Sequence, residues 1–134
     1  ALIHKSIWHK EGGCSEEFFP GTGSDPDFNF KLWREGVRIF KGLNDFKVYH
    51  FGSIVLRKKL NKLENKPKYG SKGGKIFLLK WGISIKFFKK FYLKSNTKYF
   101  GPLEDPKYNF KFLIHFIISK LNYFYLKLFY KNLY

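Results

Sequence analysis

An α/β unit followed by a mainly helical, basic extension is the fold class this sequence predicts, and three observations carry the prediction. A helix opens at Asp25-Pro26 behind a glycine-rich loop, two segments near residues 38–41 and 46–51 have strand character, and the charge changes abruptly after residue 53. Residues 1–53 hold seven Lys or Arg and seven Asp or Glu, whereas residues 54–134 hold nineteen against three, which is the whole net charge of +16. A neutral part and a basic part with an anionic partner follow from that division. Two short strands do not define a sheet, so these segments alone do not establish the α/β class.

Each element has a local reason. A first helix, carrying His4 and His9, ends at Gly12-Gly13. Asp25 is an N-cap with proline at the next position, so a second helix starts there. Phe28, Leu32 and Trp33, with Phe30 on the flank, give this helix an apolar side, and Gly36 supplies a left-handed stop. The alternation of residues 46–51 reads as a strand that ends at Gly52-Ser53, with Arg38 to Lys41 as a second extended stretch. Residues 59–75 are lysine-rich and broken by Pro67, Tyr69-Gly70 and Gly73-Gly74, and read as a flexible loop. Residues 76–93 read as two short helices hinged at Gly82, and residues 108–134 as one long helix.

Chemistry gathers at the second helix. Asp25 and Asp27 sit at its positive end, where exposed N–H groups favour a charged carboxylate. Ahead of them Pro20-Gly21-Thr22-Gly23-Ser24 is a loop of small residues that lets a ligand approach the backbone. His50 follows about two dozen residues downstream. The same aspartates are also ordinary helix caps, and that reading stays open beside the catalytic one.

Residues 3–58 resemble the second half of the catalytic domain of the inverting, nucleotide-sugar-dependent glycosyltransferases called family two, which have the Rossmann-like GT-A fold. In that family a helix ending in Gly-Gly, here Gly12-Gly13, leads to an acidic motif at the start of the next helix. The motif here is Ser24-Asp25-Pro26-Asp27, with Ser24 where Glu is usual. The resemblance implies an acceptor-side half domain over residues 1–58, with Asp25 as general base and Asp27 supporting it. It further implies that Gly21, Thr22, Gly23 and Ser24 line the substrate, and that His50 completes a site for Mn²⁺ or Mg²⁺. Lys80-Trp81-Gly82 resembles the family's C-terminal extension, in which Trp81 either stacks on an acceptor sugar or simply packs. The implied partners are a nucleotide sugar and a carbohydrate or lipid-linked acceptor.

Asp25-Pro26-Asp27 has the spelling of the family's metal-holding Asp-x-Asp, but no buried apolar strand precedes it. The main metal ligands and the nucleotide-binding half are therefore expected to precede residue 1 in a longer protein, an expectation that the absence of methionine supports. Without that half, the segment is not expected to turn over.

The basic extension, residues 76–134, has its own readings. Lys111, Lys120 and Lys127 interrupt the last helix, leaving no unbroken apolar run of the roughly 18 residues expected of a span. Such a helix is expected to lie at an anionic membrane surface on the cytoplasmic side, or else to pack on the missing half of the protein. Lys72 or Lys75 either reaches a diphosphate or belongs to a solvated loop. A non-enzymatic membrane-surface protein or a non-specific nucleic-acid-binding module is the competing class. Only three of the twenty-six basic residues are Arg, which argues against base-specific readout. Cys14, the single cysteine, reads as a small buried apolar residue. His4 and His9 share no ligand face, and His115 falls within an apolar helix.

Overall fold

A computed structural model of the chain describes residues 3–19, 21–41 and 70–129. Helices α1 (Lys5–Lys10), α2 (Ser24–Arg34), α3 (Gly70–Trp81), α4 (Ile85–Phe91) and α5 (Phe110–Phe129) follow one another there, with a 3-10 turn at Glu16–Phe18 between the first two. No strand occurs among the described residues, which overturns the expected α/β, Rossmann-like class. Arg38 to Lys41 is extended, but its bonds do not build a ladder. The Arg38 carbonyl accepts from the Leu103 N–H at 2.7 Å, and its guanidinium lies 4.0 Å from the Trp33 ring centre and donates to the Trp33 carbonyl. Residues 46–51, with His50, and residues 59–69 lie outside the described residues.

Helix α2 begins two residues earlier than expected, and Asp25 is not its N-cap. Gly23 is its N-cap at φ +96°, and the Ser24 hydroxyl donates back to the Gly21 carbonyl at 2.7 Å, so Asp25 is inside the first turn. The stop is as read. Gly36 takes φ +85°, its N–H reaches the Trp33 carbonyl at 3.0 Å, and the Val37 N–H reaches that of Leu32 at 3.0 Å. That pair of bonds is a Schellman closure.

Residues 70–75 of the expected lysine-rich loop are helix instead. Gly73 lies in α3 because a helix is needed close to the loop before α2: a Cβ on Gly73 would stand 1.8 Å from the Thr22 carbonyl oxygen. Gly73, Ile76, Phe77, Lys80 and Trp81 then form one stripe at helical spacing. Gly82, at φ +68°, separates α3 from α4 as expected, and the Ser84 hydroxyl caps α4 by accepting from the Phe87 N–H at 3.1 Å.

The core is built from aromatic rings. Phe18, Phe77 and Phe88 are fully enclosed, with Trp33, Ile76, Ile83, Phe87 and Phe112 around them. Each such side chain contributes about 1.5–3 kcal/mol by leaving water. Phe30 is the hub on the α2 side, its ring centre 4.7 Å from Trp81 and 4.9 Å from Phe88.

Helix α5 crosses α3 and α4 with a narrow seam. Phe112, Ser119 and Leu126 are buried at seven-residue spacing, and Phe116 and Tyr123 lie half-buried between them. Alternating steps of four and three are those of a coiled-coil seam. Asn109 starts the helix by accepting from the Phe112 N–H at 2.9 Å. By length and composition alone α5 is long and apolar enough to cross a membrane, despite the lysines within it.

Candidate functional site

Asp25 and Asp27 are two residues apart in the first turn of α2, and they face different surroundings. Asp27 is 0% exposed. Its Oδ2 accepts from the Ser15 hydroxyl at 2.7 Å, and its Oδ1 accepts from the Trp81 indole N–H at 2.7 Å and from the Lys80 ammonium at 3.0 Å. Lys31, one turn along α2, stands 4.0 Å from Oδ2 and donates to the carbonyls of Glu11 and Gly13, both at 3.0 Å. Three hydrogen bonds hold this buried carboxylate, and with the Lys80–Glu17 pair they tie the segment after α1, the 3-10 turn, α2 and α3 together.

Lys80 is the counter-charge. Besides Asp27 it reaches Glu17 at 2.7 Å and the Ser15 hydroxyl at 2.9 Å. Burial opposes its charge, but the hydrogen bonds to Glu17 and Asp27 outweigh that and raise its ammonium pKa above the ordinary lysine value. A buried charge is tolerated when it is paired and hydrogen-bonded in this way.

Asp25 is exposed, and it makes no hydrogen bond or ion pair among the described residues. It lines a cleft of about 640 Å³ together with Ile3, Lys5, Trp8, Cys14, Phe28 and Asn29. That is the size of a small-molecule site. Trp8 is 41% exposed and is held from behind by Phe28, with ring centres 4.9 Å apart. Gly13 makes that placement possible, because a Cβ there would stand 2.7 Å from the indole carbon Cζ2. An aromatic face, a free carboxylate, an amide and an ammonium thus converge on one concavity, a set suited to a polar ligand with an apolar face.

The residues expected at the site divide accordingly. Asp25 is at the cleft. Asp27 lies beneath it as a tie. Gly21 and Thr22 are exposed, but Gly23 is packed between Phe18 and the Gly73 carbonyl, where its Cβ would be 2.9 Å and 3.1 Å away, so small residues here serve packing as well as access. The Trp81 indole is committed to Asp27 and packs on Phe30 with Arg34 5.5 Å from its ring. Cys14 is exposed rather than buried, because the two left-handed glycines before it, at φ +67° and +64°, turn the chain outward at the cleft. Lys72 and Lys75 are in the first half of α3. His4 caps α1, and His115 in α5 stands 2.7 Å from the Lys90 ammonium.

Among the described residues no three His, Cys, Asp or Glu side chains gather as a metal site. Among the described residues Asp27 is held by protein donors and Asp25 has no second ligand beside it; the expected His50 lies outside the described residues, and no step below runs through a metal.

Sequence reasoning missed Trp8, Ser15 and Lys80. Lys80 had a signal, as the one charge within the apolar run 76–81. Trp8 had a fainter one, an aromatic five residues before a glycine. No family model, curated protein or solved structure matches this chain.

Proposed function

We propose that this chain carries the acceptor-activating part of an inverting, nucleotide-sugar-dependent glycosyltransferase, with Asp25 as its general base. One observation carries the reading: of two adjacent acidic residues at a helix start, one is fully bonded inside the protein and the other stands unpaired in a cleft. A base must be within reach of a substrate proton, which exposed Asp25 is and enclosed Asp27 is not.

The chemistry is a single displacement. The acceptor hydroxyl oxygen bonds to the anomeric carbon, the bond from that carbon to the nucleoside diphosphate breaks, and the hydroxyl proton passes to the Asp25 carboxylate. Trp8 offers an apolar face to a sugar ring, and Asn29 and Lys5 offer donors to its hydroxyls. Asp27 holds α2 in register with α3 so that Asp25 keeps its position.

The test is turnover by the intact protein with a panel of nucleotide sugars and hydroxyl-bearing acceptors. The expected result is acceptor-dependent release of nucleoside diphosphate and a product of inverted anomeric configuration by NMR. Consumption of no donor in the panel, or retention of configuration, would overturn the proposal.

A further inference from the structure

Helix α5 turns two apolar sides outward from its seam. Leu113, Ile114, Ile117, Leu121, Phe124 and Leu128 are all exposed, the last at 71%. With Phe110, Ile118, Tyr125 and Phe129, at about 100° per residue they cover a continuous arc of about 160°. Together they expose roughly 1,000 Å² of apolar surface, against about 300–600 Å² for the largest patch on a typical monomer. No described residue covers this arc.

The lysines of α5 do not lie opposite the arc; they border it. Lys120 and Lys127 fall on one edge and Lys111 on the other. Lys120 lies 5.2 Å from the Phe116 ring centre and 5.8 Å from that of Tyr123, and Lys127 lies 5.9 Å from Tyr123. The Lys120 ammonium is turned to the seam side, beside Phe116, Tyr123 and Gly82, so Lys111 and Lys127 are the exposed cations at the arc's edges, placed as side chains that snorkel at a lipid boundary are.

We infer that this arc docks in the plane of an anionic lipid bilayer, with the apolar residues among the acyl chains and the bordering lysines at the headgroups. Charge complementarity selects that occupant: the described surface around α5 also carries exposed Lys86 and Lys89, and residues 54–134 hold nineteen basic against three acidic side chains. A second copy of a chain with net charge +16 would bring like charge to both rims of the contact.

The seam decides between lying and crossing. Ser119 accepts from the Ser84 N–H at 2.9 Å, Lys90 meets His115 at 2.7 Å, and Phe112 packs on Phe87 with ring centres 5.0 Å apart. These contacts keep one side of α5 on α3 and α4, so only the outer arc is available to lipid. A spanning helix would also put Lys120, near its midpoint, at the costliest depth. This inference is independent of the glycosyltransferase reading, and its test measures no transfer.

The test is flotation of the full chain with phosphatidylcholine vesicles with and without phosphatidylserine. Flotation with the anionic vesicles, weaker flotation with pure phosphatidylcholine, and release by alkaline carbonate are expected. Ile117→Glu with Leu121→Glu should lower partitioning at least tenfold without moving the melting temperature, since both residues are exposed. Lys111→Gln and Lys127→Gln should each lower it roughly fivefold. Failure to float with anionic vesicles, full binding by the double glutamate variant, or retention through carbonate would overturn the inference. So would salt-sensitive binding to duplex DNA or self-association in place of vesicle binding.

Discussion

Replacing Asp27 by alanine removes the acceptor on which four segments converge. The Trp81 N–H and the Ser15 hydroxyl lose their 2.7 Å partner, and Lys80 keeps only Glu17 and Ser15. The Trp81 N–H and the Ser15 hydroxyl are left without an acceptor at about 1–3 kcal/mol each, and Lys80 loses one of its two carboxylates, so the change should cost about 3–5 kcal/mol in all. A chain of this size loses roughly 3–4 °C of melting temperature per kcal/mol, so the variant should melt about 10–20 °C lower. Lys80→Met alone leaves Asp27 with its two neutral donors and Lys31, and the double variant removes both ends of the Asp27–Lys80 bond. The cost of the double change should therefore fall short of the sum by at least about 1 kcal/mol. Urea unfolding followed by tryptophan fluorescence measures all four corners of the cycle. A melting shift below about 3 °C for Asp27→Ala, or strict additivity, would refute the assignment of Asp27 as the tie.

Two further outcomes follow from the same packing. Gly73→Ala and Gly74→Ala should have opposite signs in urea unfolding: the first drives a Cβ to 1.8 Å from the Thr22 carbonyl and should cost about 1–3 kcal/mol or more, while the second meets nothing within 4 Å and should gain up to about 1 kcal/mol of helix propensity. Because the folded-state pKa of Lys80 is raised, its contribution is complete below the ordinary lysine value of 10.5 and is lost as pH rises through the folded value. The stability gap between the wild type and Lys80→Met should accordingly be constant through neutral pH and narrow only above 10.5; narrowing on the acid side of neutrality that is absent from Asp27→Ala would contradict that linkage.

Local signals in the sequence located the helix that opens the site. The apolar positions 28, 32 and 33 and the stop at Gly36 are as read, whereas the expected cap at Asp25 lies two residues inside a helix that Gly23 caps. Tertiary demands defeated the rest. Gly73-Gly74 has the composition of a turn, yet Gly73 is small because a carbonyl from residue 22 passes beside it. Residues 38–41 have strand character, but their bonds go to Trp33 and Leu103 and no ladder forms. Asp27 and Asp25 look equivalent in sequence; Ser15, Lys80 and Trp81, distant along the chain, distinguish them. The lysines of α5 break its apolar run in sequence, but in space they border an apolar arc.

Division of labour between the two aspartates is the centre of the account, and Asp25→Asn in the intact protein tests it most directly. Transfer to the acceptor should fall by about 10²–10⁴-fold, with a melting temperature within about 1 °C of the wild type because an exposed side chain without partners is being changed. An asparagine variant that transfers sugar at the wild-type rate, or one that loses transfer only because it no longer folds, would contradict the account.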